Sequence, residues 1–231
     1  MTGFLASVAT LDEMALARTA GADIVDLKNP AEGALGAWAL DDLRDAAALW
    51  RGWGDGAPSL SATIGDRPMI PDAVRAAAEA VAETGAPLVK LGVFRDGDAG
   101  ACFEALRPLS RRAKLIAVFF ADQGVDPALV EHAARAGFHG AMIDTADKTA
   151  GGLRSHIHTP ALGRFVREAR ALGLLTGLAG SLRRTDVEEL AALGPDYLGF
   201  RGALCDGGRT GAFSVEAARS LRAALDAQRA A

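Results

Sequence analysis

A single-domain (β/α)8, or TIM, barrel of the α/β class, running from residue 1 to residue 231, is predicted by three features of the chain. Strand-like and helix-like stretches alternate eight times, which at this length favours a closed barrel over an open doubly wound sheet. The 231 residues are 50% hydrophobic, enough to build one large core, and no second domain is discernible. No Gly-x-Gly-x-x-Gly follows the first strand, which weakens the open-sheet nucleotide-binding alternative.

The elements follow from local pattern. Gly3 to Ala9 is a small apolar run, and Leu11 to Ala20 continues with helical periodicity and Asp12-Glu13 in its first turn. Ala22 to Lys28 is the second strand, ended by Asn29-Pro30. Ile24, Asp26 and Lys28 share one face of it and Val25 and Leu27 the other. Ala31 to Trp38 carries two glycines and reads as a candidate lid, before a helix from Asp41 to Trp50. Leu60 to Ile64 is strand three, broken by Gly65-Asp66-Arg67-Pro68, and Pro71 opens a helix to Glu83. Pro87 to Leu91 forms strand four, with Leu88, Lys90 and Gly92 in one phase, and Ala99 to Leu106 a short helix. Leu115 to Phe120 is continuously apolar, as expected of a strand buried on both faces, and Lys114 precedes it as a structural residue. Asp126-Pro127 starts a helix that stops at Gly137, Ala141 to Asp144 is strand six, and Thr145 to Thr159 is a long polar loop. Pro160 to Leu172, Leu174 to Ala179, Arg183 to Leu193, Tyr197 to Phe200 and Ser214 to Gln228 complete the alternation.

A net charge of −4 and a pI near 5.6 give no reason to expect nucleic acid or an anionic membrane as partner. The first residues lack a basic start and a long apolar stretch, and no run of about 18 apolar residues occurs later, so a soluble, cytoplasmic protein is expected. Cys102 and Cys205 fit that compartment and lack metal-ligand spacing. The expected ligand is a small phosphorylated molecule, and the chain is expected to form a homo-oligomer.

Lysine usage points to the chemistry. Of 25 lysines and arginines only Lys28, Lys90, Lys114 and Lys148 are lysines, and a buried lysine, unlike arginine, can lose its proton and attack a carbonyl. Lys28, Lys90, Asp122 and Asp144 fall at the carboxyl ends of different strands, where barrels of this kind place their sites. Two amines in one partly desolvated pocket repel, favouring a neutral nucleophile, whereas Asp26 favours an ammonium. Which lysine attacks therefore stays open, but imine chemistry is favoured over metal chemistry. Gly177 to Leu182 and Arg201-Gly202-Ala203, after strands seven and eight, sit where such barrels bind phosphate through backbone N–H groups. Gly180, Ser181, Arg201 and Gly202 are the candidates, and the stretch from Lys148 to Gly152 is either a second anion site or a mobile loop. His156 and His158 lack an acidic or cysteine companion, so no metal and no organic cofactor is expected. Cys205 is read as a small filler and Phe119-Phe120 as core.

Four pieces of the chain carry a family resemblance: Asp26-Leu27-Lys28-Asn29-Pro30 with its glycine-rich continuation, Val89-Lys90-Leu91-Gly92, Asp144-Thr145-Ala146-Asp147-Lys148, and Gly199 to Cys205. The sequence resembles the (5-formylfuran-3-yl)methyl phosphate synthase family of methanofuran biosynthesis over essentially its whole length, with no departure at these positions. The resemblance implies a barrel lyase that joins two molecules of glyceraldehyde 3-phosphate, releasing phosphate and water. It implies a Schiff base on Lys28 and proton acceptance by Lys90, with Asp26, Asp144 and Lys148 lining the site. The alternatives are another Schiff-base aldolase acting on a sugar phosphate and, from a different class, a non-catalytic phosphometabolite-binding protein.

Overall fold

Each apolar run is delivered to a loop and followed by a helix, and the series closes on itself in the computed structural model, which describes residues 1–147 and 149–230. Eight parallel strands pair in chain order, and the eighth returns to the first. They are β1 (Gly3–Val8), β2 (Ile24–Leu27), β3 (Ser59–Thr63), β4 (Leu88–Val93), β5 (Lys114–Phe120), β6 (Gly140–Asp144), β7 (Leu175–Leu178) and β8 (Tyr197–Phe200). The helices are α1 (Leu11–Thr19), α2 (Leu40–Arg51), α3 (Pro71–Glu83), α4 (Ala99–Ser110), α5 (Pro127–Arg135), α6 (Leu153–His156), α7 (Thr159–Ala171), α8 (Val187–Ala191) and α9 (Val215–Ala230).

Alternation along each strand divides the core into two shells. Phe4, Val25, Leu27, Val89, Leu91 and Phe119 pack outward against the helices, while Leu5, Ile24, Leu88, Ile116, Val118 and Phe120 fill the barrel. This is why β5 is apolar throughout: Leu115, Ala117 and Phe119 serve one shell, Ile116, Val118 and Phe120 the other. Tyr197 lies inside the barrel, and Gly177 beside it is obligatory, since a Cβ there would fall 2.3 Å from the tyrosine ring. Towards the carboxyl ends the inward positions turn polar: Ser7 pairs in register with Asp26, Asp26 with Ser61, and Thr63 with Lys90. The apolar interior is therefore a floor and the polar positions above it form a cup.

The structure departs from the sequence expectations in three places. The loop expected over 145–159 contains α6, whose Leu153 is fully buried and donates its N–H to the Gly180 carbonyl at 2.8 Å, so tertiary packing orders it. The helix expected from Arg183 to Leu193 is instead a 3-10 turn, Arg184–Asp186, followed by the short α8. Helix α4 runs past Leu106 to Ser110, with Pro108 accommodated in its last turn, and Lys114 begins β5 rather than preceding it. The candidate lid over 31–38 is packed down on the barrel. Asp66 accepts from the N–H groups of Ala34 and Leu35, both at 2.8 Å, and Leu35 is fully buried within the inner shell. Among the described residues, no helix is long and apolar enough to cross a membrane.

Candidate active site

Strands β2, β4 and β6 bring two lysines and two carboxylates into a cavity of about 400 Å³ at the carboxyl end of the barrel. Lys90, only 2% exposed, reaches both oxygens of Asp26 at 3.0 Å, and the Ser61 hydroxyl donates to Asp26 Oδ1 at 2.6 Å. Lys28 Nζ lies 3.7 Å from Asp144 Oδ2, while Asp144 Oδ1 accepts the Thr145 N–H at 2.7 Å. Cations and anions are thus interleaved, so each buried charge has a partner. The two amines differ in constraint: Lys90 is clamped by a bidentate carboxylate, whereas Lys28 has one longer contact and is the freer to approach a carbonyl. Beneath them, burial, with Asp26, Asp196 and Asp144 adding to it, pushes the Tyr197 phenol well above its ordinary value, and its hydroxyl donates to Met142 Sδ at 3.4 Å.

The loops after β7 and β8 line the other wall, including Gly180, Ser181, Arg201 and Gly202. Gly180 has φ +110°, and a Cβ there would meet Thr145 Cγ2 at 3.0 Å and Leu153 Cβ at 3.3 Å. Ser181 also adopts a left-handed backbone, at φ 51°. Gly202 is roomier, with the Arg209 backbone nitrogen 3.9 Å from such a Cβ. The Arg201 guanidinium is committed to the protein. It donates to both oxygens of Glu13, to the Ser7 carbonyl at 3.2 Å and to the Arg209 carbonyl at 2.7 Å.

The remaining candidates separate. Asp122 lies outside this cavity lining and accepts instead from the backbone N–H groups of Ala146 and Asp147, at 2.8 and 2.7 Å, holding the loop after β6. Lys148 lies outside the described residues. His156 is half-buried and His158 exposed at the start of α7, and no group of three or more His, Cys, Asp or Glu side chains placed to hold a metal occurs among the described residues. Burial raises the Cys205 thiol, with Arg201 opposing it.

Sequence reasoning missed four participants. Ser7 and Ser61 were legible in principle, since each lies an even number of residues from an inward-facing neighbour. Ser7 is buried, lines the cavity and has an Oγ without a protein partner among the described residues. Glu13 looked like an ordinary first-turn acid, and its tie to Arg201 joins residues 188 apart. Arg209 also lines the cavity, its Nη2 donating to the Gly33 carbonyl at 2.9 Å, and only the folding of the loop after β8 brings it there.

Comparison with known proteins adds to this geometry. The family model described as 4-HFC-P synthase matches residues 4–222. A protein of Methylorubrum extorquens is 40% identical over 225 residues, covering 94% of this chain and 91% of the relative. The (5-formylfuran-3-yl)methyl phosphate synthase of Methanobrevibacter smithii is 34% identical over 223 residues, covering 89% and 91%. Among solved structures, the phosphoribosyl anthranilate isomerase of Thermus thermophilus superposes with a TM-score of 0.67 at 19% identity, covering 98% of this chain and 99% of that one, a likeness of fold alone.

Proposed function

The chain belongs to the 4-HFC-P synthase family, and we propose that it forms (5-formylfuran-3-yl)methyl phosphate for methanofuran biosynthesis by condensing two molecules of glyceraldehyde 3-phosphate through a lysine Schiff base. Two three-carbon phosphates give one six-carbon furan phosphate, one orthophosphate and two waters, so the net reaction needs no oxidant or reductant. It is a carbon–oxygen lyase reaction built on a carbon–carbon bond.

The Lys28 amine attacks an aldehyde carbonyl, and Asp144 exchanges protons at the carbinolamine as water leaves. The resulting imine withdraws electron density and acidifies the adjacent C–H. Lys90, oriented by Asp26 and Ser61, accepts that proton as phosphate leaves the next carbon, and the terminal carbon of the resulting enol adds to the carbonyl of the second triose phosphate in its ketone tautomer. Closure of the ketone's hydroxymethyl oxygen onto the neighbouring carbonyl, with loss of two waters, completes the furan, and hydrolysis of the imine frees Lys28 and leaves the aldehyde. The observation that carries this reading is the interleaved pair of contacts, Lys28 with Asp144 and Lys90 with Asp26, in one cavity of a chain matched to this family.

Incubating the purified protein with glyceraldehyde 3-phosphate and identifying the product by mass spectrometry tests it. The furan aldehyde phosphate is expected. An open-chain aldol product retaining both phosphates would make the protein a different Schiff-base aldolase.

A further inference from the structure

The charges lining the cavity do not all cancel. Lys90 is matched by Asp26, Lys28 by Asp144 and Arg201 by Glu13, each through a direct ion pair. Arg201 has little left to offer, because its Nε and Nη1 also serve the carbonyls of Arg209 and Ser7. Arg209 differs. It lines the same cavity, half-buried, its hydrogen bond goes to the neutral Gly33 carbonyl, and among the described residues no carboxylate pairs with it. A guanidinium carries five N–H donors in a planar fork, so several remain to be satisfied.

We infer that Arg209 is the cation that grips a phosphomonoester dianion in this cavity, with four of the five donors of Arg201 engaged in holding the β8 loop that presents it. A phosphate supplies two oxygens at the spacing of the guanidinium fork and the negative charge that the lining otherwise lacks. Gly207 and Gly208, at φ 78° and 100°, make the turn that leads into Arg209, and a Cβ at Gly202 would still lie 3.9 Å from the Arg209 backbone nitrogen. Burial draws Arg209 below the ordinary arginine value, with Asp144 opposing the effect, and a bound dianion would offset that cost. Because Arg209 also holds Gly33, on the loop that follows Lys28, the phosphate grip and the lysine loop are one connected unit. The inference rests on the proposed function only for the identity of the phosphate-bearing substrate.

Titration calorimetry of the full chain with inorganic phosphate tests it without turnover, so failure here and failure of the furan synthesis are separate results. The unmodified protein should bind phosphate, and Arg209→Gln should weaken binding about ten- to a hundredfold, the scale of a lost charge-assisted contact. Arg183→Gln, at an exposed cation on the rim, should leave the affinity unchanged. If Arg209→Gln does not fold, Arg209→Lys decides, since it keeps the charge but loses the fork and should bind several-fold more weakly. Absence of phosphate binding by the unmodified protein, unchanged affinity in a folded Arg209 variant, or a loss confined to Arg183→Gln would overturn the assignment.

Discussion

Lys28 and Lys90 are both buried amines with carboxylate partners, and what separates them is how tightly each is held. Lys28→Ala removes the amine proposed to attack, so borohydride reduction in the presence of glyceraldehyde 3-phosphate should trap no adduct, and turnover should vanish. Lys90→Ala keeps that amine but loses the proposed proton acceptor, a group typically worth about 10²–10⁴-fold in rate. Peptide mapping should then still find an adduct on Lys28 while product forms slowly, and an adduct on Lys90 in the unmodified chain would reverse the roles. The Asp26–Lys90 pair also bears on stability, because both members are almost wholly buried. Removing either one strands the other's charge, at a cost of about 3–5 kcal/mol. Replacing both together, as Asp26→Leu with Lys90→Met, should cost less in urea denaturation than either single change, and a larger loss in the double variant would mean that the pair is not the coupled unit described.

The loops that follow β7 and β8 show how similar-looking glycines differ once folded. Gly180 has a left-handed backbone and close neighbours in Thr145 and Leu153, so Gly180→Val should lower the melting temperature as well as weaken substrate binding. Gly202 has room for a Cβ at ordinary contact distance, and Gly202→Val should raise KM with the melting temperature almost unchanged, because the side chain fills volume that a ligand would need. A Gly202→Val protein that keeps its KM would move the phosphate away from the β8 loop. The loop after β2, whose two glycines permit an irregular path, is held against the barrel by the two contacts from Asp66 and the burial of Leu35.

Across the whole molecule the outer shell between strands and helices carries most of the buried apolar surface, and Cys102 of α4 lies fully within it. Burial, with Asp98 adding to it, pushes its thiol up to about 11 from an ordinary value of 9.0. The folded state therefore keeps the thiol proton through a range in which the unfolded chain has lost it. The stabilisation is complete below about pH 9 and falls as pH rises towards 11. Urea midpoints at pH 8 and pH 10.5 should fall further for the unmodified protein than for Cys102→Ala, and equal falls would show that the thiol does not contribute.

The sequence by itself determined the barrel, because strand and helix are periodicities of 2 and 3.6 that a chain carries locally, and their eightfold alternation admits few closures. It also placed Asp26 and Lys28 on one face of β2 and Lys90 on the inward phase of β4, since alternation on a strand leaves no other choice. Which charge meets which was decided only by tertiary structure. Lys90 joins Asp26 across 64 residues and Arg201 joins Glu13 across 188, distances over which no local pattern extends. The same limit explains why Asp122 turned to backbone N–H groups and why Arg209, an ordinary arginine in a glycine-rich loop, reached the cavity. Pairing inside a barrel depends on strand register and loop path, and these are fixed by closure of the whole sheet rather than by any one segment.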